Sequence, residues 1–72
     1  MKQQKALVGQ LENEPMQDYV KFLVFLRLGS GRSLDRAFKQ YYETNNDVSK
    51  TWRALAEQYQ WTKRASAHDE AT

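Results

Sequence analysis

The sequence predicts an all-α protein, a small three- to four-helix bundle containing a helix-turn-helix unit. Apolar residues recur at helical spacing in three stretches, a residue suited to starting a helix precedes each one, and nothing reads as a strand. The 72 residues are enough for one small domain with a core, but too few to enclose a deep substrate pocket.

Residues 1–13 are polar and glutamine-rich, with a small apolar cluster at Ala6, Leu7, Val8 and Leu11. They read as an N-terminal arm, frayed or forming a short helix broken near Gly9, ahead of a helix-turn-helix domain over 14–72. Glu14-Pro15 opens the first helix, expected over 15–28, because proline suits the first helical position, where no backbone donor is needed. Tyr19, Phe22, Leu23 and Leu26 make its apolar stripe, and Gly29 is placed to end it in a left-handed conformation. Val24, Phe25 and Leu28 fall outside that stripe and are expected to be covered within the monomer rather than by a partner subunit.

Residues 29–33 (GSGRS) form a loop by their glycines. Ser33 caps the second helix, expected over 34–43, and Asp35 in its first turn suits the helix dipole. Leu34, Ala37, Phe38 and Tyr41 give this helix a buried face, with Tyr42 at its margin, until the polar run ETNN at 43–46 breaks the pattern. An asparagine there takes a turn or left-handed conformation at little cost. Asp47 is the expected N-cap of a third helix over 48–59. At about 100° per residue, Val48, Trp52, Leu55, Ala56 and Tyr59 share one face, and Lys50, Arg53, Ala54 and Glu57 lie opposite. The core is therefore expected to join Trp52, Leu55 and Tyr59 to Phe22, Leu26, Leu34 and Phe38. Trp61 plugs it from a fourth helix that Thr62 would cap. Both tryptophans read as core residues rather than base-stacking platforms.

Composition excludes several classes. With no cysteine there is neither a disulfide framework nor a thiolate metal site, and a reducing compartment is the natural setting. No apolar run approaches the roughly 20 residues that cross a bilayer, and MKQQK begins no signal core, so a soluble cytoplasmic protein without a membrane partner is expected. His68 has Asp69 beside it rather than across a cleft, which suits a solvated side chain, not a catalytic base. No nucleophile, metal cluster or phosphate-cradling loop is evident. The expectation is a protein with no catalytic residues, no metal and no cofactor, and not an enzyme.

Net charge is only +2, but its distribution is uneven. Residues 32–64 carry seven cations against four acids, while the tail after Arg64 carries Asp69 and Glu70. The basic character coincides with the third helix, whose outer face sets Lys50 and Arg53 around the small Ala54. A backbone can approach a phosphate chain or base edge closely there, as a recognition helix must. The plain alternative is an ordinary solvated face.

The series Tyr19-x-x-Phe22-x-x-Phe25, Leu28-Gly29-x-x-Arg32-Ser33-Leu34 and Trp61-x-x-Arg64-Ala65-x-Ala67-x-Asp69 resembles the helix-turn-helix domains of phage small terminase subunits and related phage DNA-binding proteins, over about residues 14–70. The resemblance implies a helical bundle that binds double-stranded DNA, often as a homo-oligomer, at a packaging or regulatory site in the host cytoplasm. It makes the third helix the recognition helix, with Ser49, Lys50 and Arg53 facing DNA and Arg32, Lys63 and Arg64 as backbone contacts. For Arg32 and Arg64 the competing reading is an arginine that pairs with a carboxylate or caps carbonyls. Three departures stand out. Residues 41–47 make a longer connection than the compact turn of such units, Leu55 stands where the third helix is expected to carry a tryptophan, and the long helical region that assembles terminase rings is missing. The rival function is a phage protein-interaction module that docks on a host or packaging protein through the surplus apolar surface of the first helix.

Overall fold

Four helices start and stop by different local devices within residues 9–71, the span described by this computed structural model; among those residues there is no strand. The cluster at Ala6, Leu7 and Val8 lies outside the described residues.

Helix α1 is Met16–Arg27. Pro15 sits one position earlier than expected, as the extended N-cap residue, and its carbonyl accepts from the amides of Asp18 and Tyr19, both at 3.0 Å. At the other end Gly29 takes φ +76°, as expected; a Cβ there would meet nothing within 4 Å, so backbone conformation rather than space favours glycine. A single 3₁₀ turn, Gly29–Gly31, leads to helix α2, Leu34–Tyr42. Ser33 caps α2 as expected, its Oγ accepting from the Arg36 amide at 3.1 Å.

Helix α2 ends one residue earlier than expected, and neither asparagine takes the left-handed position. Glu43 does, at φ 53°, which lets the Thr44 amide reach back to the Lys39 carbonyl at 3.0 Å. Asp47 does not cap the third helix either. Ser49 does, its Oγ accepting from the Trp52 amide at 3.2 Å, so α3 is Lys50–Gln58 and Val48 remains in the connection. The Val48 amide lies close enough to the Asp35 carboxylate at the start of α2 to help lower its pKa. Thr62 is likewise not a cap. Gln60 turns the chain at φ 53° and α4, Trp61–Ala71, begins at once, with the Gln60 carbonyl accepting from the Arg64 amide at 3.0 Å.

The core holds Phe22, Phe25, Ala37, Trp52, Tyr59, Trp61 and Ala65. Trp61 is the expected plug. Its ring lies 6.0 Å from that of Phe22, 5.7 Å from Phe25 and 5.5 Å from Trp52, the last edge-on, a favoured aromatic geometry. Leu26, Leu34, Phe38 and Leu55 are half-buried against this cluster rather than at its centre. Phe25, outside the α1 stripe, is buried within the monomer as expected, because α4 covers a second side of α1. Tyr41 is exposed rather than on the buried face expected of it, although its ring lies 5.5 Å from that of Trp52. Val24 and Leu28 pack against the core within the monomer, as expected.

Two substitutions test this account in chemical denaturation. Ser49→Ala should cost about 1 kcal/mol through the lost cap, whereas Asp47→Ala should cost only tenths. Phe22→Ala should cost about 3–5 kcal/mol, against a smaller loss for the half-buried Leu55.

Candidate nucleic-acid interface

The expected recognition face is present as a surface. Trp52 and Tyr59 anchor one side of α3 in the core, which turns Lys50, Arg53, Ala54 and Glu57 outward, all four exposed. Charges on α2 border this face. Asp35 Oδ2 accepts from Lys39 Nζ at 2.7 Å, and that bond holds the Asp35 carboxyl below its usual range, with the Val48 amide and the nearby positive charge of Arg53 as lesser causes. The same bond raises the Lys39 ammonium above its usual value. Arg53 therefore stands in the field of Asp35, a neighbour that spacing along α3 does not disclose.

The remaining expected contact residues divide. Lys63 is exposed on α4. Ser49 uses its hydroxyl as the α3 cap. Arg32 reaches across the fold as a fork to Asp69, at 2.8 and 3.2 Å, and also donates to the Leu26 carbonyl at 3.1 Å while lying 5.7 Å from the Phe25 ring. Arg64 is only 4% exposed. Its two terminal nitrogens donate to the two oxygens of Glu14, both at 3.1 Å, and to the carbonyls of Tyr59 at 3.1 Å and Gly9 at 3.0 Å, with its carbon centre 4.0 Å from the Phe22 ring. Both arginines thus pair with carboxylates. Glu14 and Asp69, the partners, gave no sign of this in the sequence, since each lies far along the chain from its arginine.

Lys50 and Arg53 on α3 and Lys63 on α4 are therefore the expected contact residues that remain open to a ligand, joined by exposed Arg27 and Arg36, neither of which spacing singled out. Arg36 is partly engaged, donating to the Gly31 carbonyl at 2.7 Å. Among the described residues no group of three metal-binding side chains converges, and no helix is long and apolar enough to cross a membrane. Comparisons with protein families, with characterised proteins and with solved structures found no match.

The buried pair and the exposed one should behave differently. Glu14→Gln leaves the Arg64 charge uncompensated and should lower unfolding free energy by about 3–5 kcal/mol, whereas the double variant Glu14→Leu/Arg64→Met should recover most of it. Asp69, held below its usual value of 3.8 first by the Arg32 hydrogen bond, contributes stability that is present above that value and lost as pH falls through its depressed folded value. Asp69→Asn should therefore flatten the acid limb of stability measured below pH 4 and leave the alkaline limb unchanged.

Proposed function

We propose that the chain is a non-enzymatic, double-stranded DNA-binding module of phage or mobile-element origin, in which α2 and α3 act as a helix-turn-helix and α3 is the recognition helix. The observation that carries this reading is the outer face of α3. Two exposed cations, Lys50 and Arg53, flank the small Ala54 on a helix whose opposite side is locked by Trp52 and whose start is fixed by Ser49. A rigid helix with a low-profile basic face suits the major groove, where arginine reads guanine and lysine meets phosphate. The resemblance to phage small terminase subunits supports the same reading, with a packaging or regulatory site as target.

The connection over residues 43–49 is longer than the roughly three to four residues of the compact turn, so α3 would enter the groove at an angle of its own. Arg32 and Arg64 are withdrawn into ion pairs, which leaves few phosphate contacts per molecule. Affinity adequate for function therefore calls for a second copy on an adjacent half-site, since linked weak contacts multiply. A specific observation also favours the rival. Met16 is 59% and Val20 39% exposed on α1, apolar surface suited to a host or packaging protein.

Gel-shift and titration measurements across a salt series discriminate the two. For the DNA reading, Lys50→Ala and Arg53→Ala should each weaken binding and reduce the magnitude of the salt slope by about one, or Arg53→Ala should cost about 1–3 kcal/mol at one base position. An apolar interface on α1 would instead be insensitive to salt and abolished by Met16→Glu or Val20→Glu. A parent protein that shifts no duplex at low salt sinks the DNA reading.

A further inference from the structure

The connection between α2 and α3 folds back to leave a cleft of about 490 Å³ that the duplex-binding reading does not use. Its walls are the rings of Phe38, Tyr42 and Trp52. Trp52 is held in place: its indole N–H donates to the Tyr42 hydroxyl at 3.3 Å, and Phe38 packs edge-on against it at 5.4 Å. The Tyr42 ring packs on those of Phe38 and Tyr41, each at 4.8 Å, yet the residue lines the cleft and stays 48% exposed, in a domain with little apolar surface to spare.

The rim is polar. The Asn46 side-chain amide and the Thr51 hydroxyl both line the cleft, and neither has a hydrogen-bond partner among the described residues. Lys21 stands at the edge, its ammonium 3.8 Å from Asp18, and the lining contains no carboxylate. The first two amides of α3, those of Lys50 and Thr51, also find no acceptor there, because the Ser49 cap serves Trp52.

We propose that this cleft binds a nucleotide, with the base against the exposed part of Tyr42, its polar edge on Asn46 and Thr51, and its phosphate toward Lys21 and the start of α3. An aromatic ring alone would leave the amide and the hydroxyl to water and the ammonium to Asp18. A base with its phosphate satisfies all three, and the volume leaves room for the sugar. The site does not rest on the duplex-binding reading. At about 100° per residue Thr51 lies about 160° from Arg53 around α3 and about 60° from Ala54, so the cleft opens beside the basic face rather than on it. The same chemistry is offered by a free nucleotide or by an unpaired base in a strand.

Proton–nitrogen correlation spectra of the full chain test this, titrated in turn with adenosine monophosphate, a short single-stranded oligoadenylate and ribose 5-phosphate. The expected result is saturable movement of the Trp52 indole N–H, the Asn46 side-chain amide and the Thr51 backbone amide with adenosine monophosphate but not with ribose 5-phosphate. Tyr42→Ala should weaken that binding about ten-fold, the scale of one stacked base. Asn46→Ala, at an exposed position outside the core, should weaken it as well and serves if Tyr42→Ala does not fold. Equal affinity for monomer and strand identifies a free-nucleotide site, and a tighter strand identifies an unpaired base. The proposal is overturned if these three signals stay unmoved up to millimolar nucleotide. It is equally overturned if ribose 5-phosphate moves them as much, or if N-acetyltyrosinamide does so while nucleotides do not.

Discussion

One buried ion pair constrains this fold, because neither partner can be buried without the other. Arg64 and Glu14, at 4% and 3% exposure, sit where the N-terminal segment, the end of α3 and the start of α4 converge. Taking two charges out of water costs several kcal/mol per ion, and only dense hydrogen bonding offsets it. Here both carboxylate oxygens face the guanidinium, Oε1 also accepts from the Leu11 amide at 3.1 Å, and the arginine's remaining capacity goes to two carbonyls and the face of Phe22. The pair joins residues 50 positions apart, and the Gly9 carbonyl extends it to 55. Gly9 and Glu14 are thereby held to the bundle, with Leu11 against its core.

Holding a small bundle together in this way limits what remains for the surface. Arg32 and Arg64 each neutralise a carboxylate from a distant part of the chain, and Lys39 is tied to Asp35 on its own helix. A cation count along the sequence therefore overstates the positive surface offered to a polyanion. The field around α3 comes from Lys50 and Arg53, with Asp35 tempering the latter.

Periodicity made most of the bundle legible. The stripes containing Phe22, Trp52 and Tyr59 and the plug at Trp61 follow from helical spacing, because burying large rings outweighs local preference in a domain this small. What periodicity could not resolve was competition between neighbouring groups of similar propensity. Asp47 and Ser49 are both good caps, and it is the Ser49 hydroxyl that accepts from the amide three residues on. Tyr41 was misplaced because a stripe drawn on one helix says nothing of how its neighbours pack around it. At the candidate site, the exposure of Lys50 and Arg53 followed from the phase of α3. The withdrawal of Arg32 and Arg64 did not, because their partners are set by tertiary structure.

Both junctions flanking α3 are made without glycine. Glu43 before it and Gln60 after it hold φ at 53°, a region that costs an L-residue about 1–2 kcal/mol. Glycine would occupy it freely, while giving back about 0.4–1 kcal/mol through the greater freedom of the unfolded chain. The present sequence therefore sits below the stability its own backbone allows. That margin is an opening for engineering: glycine at position 43 or 60 would relax a hinge of α3 without touching the core, the ion pair or the basic face.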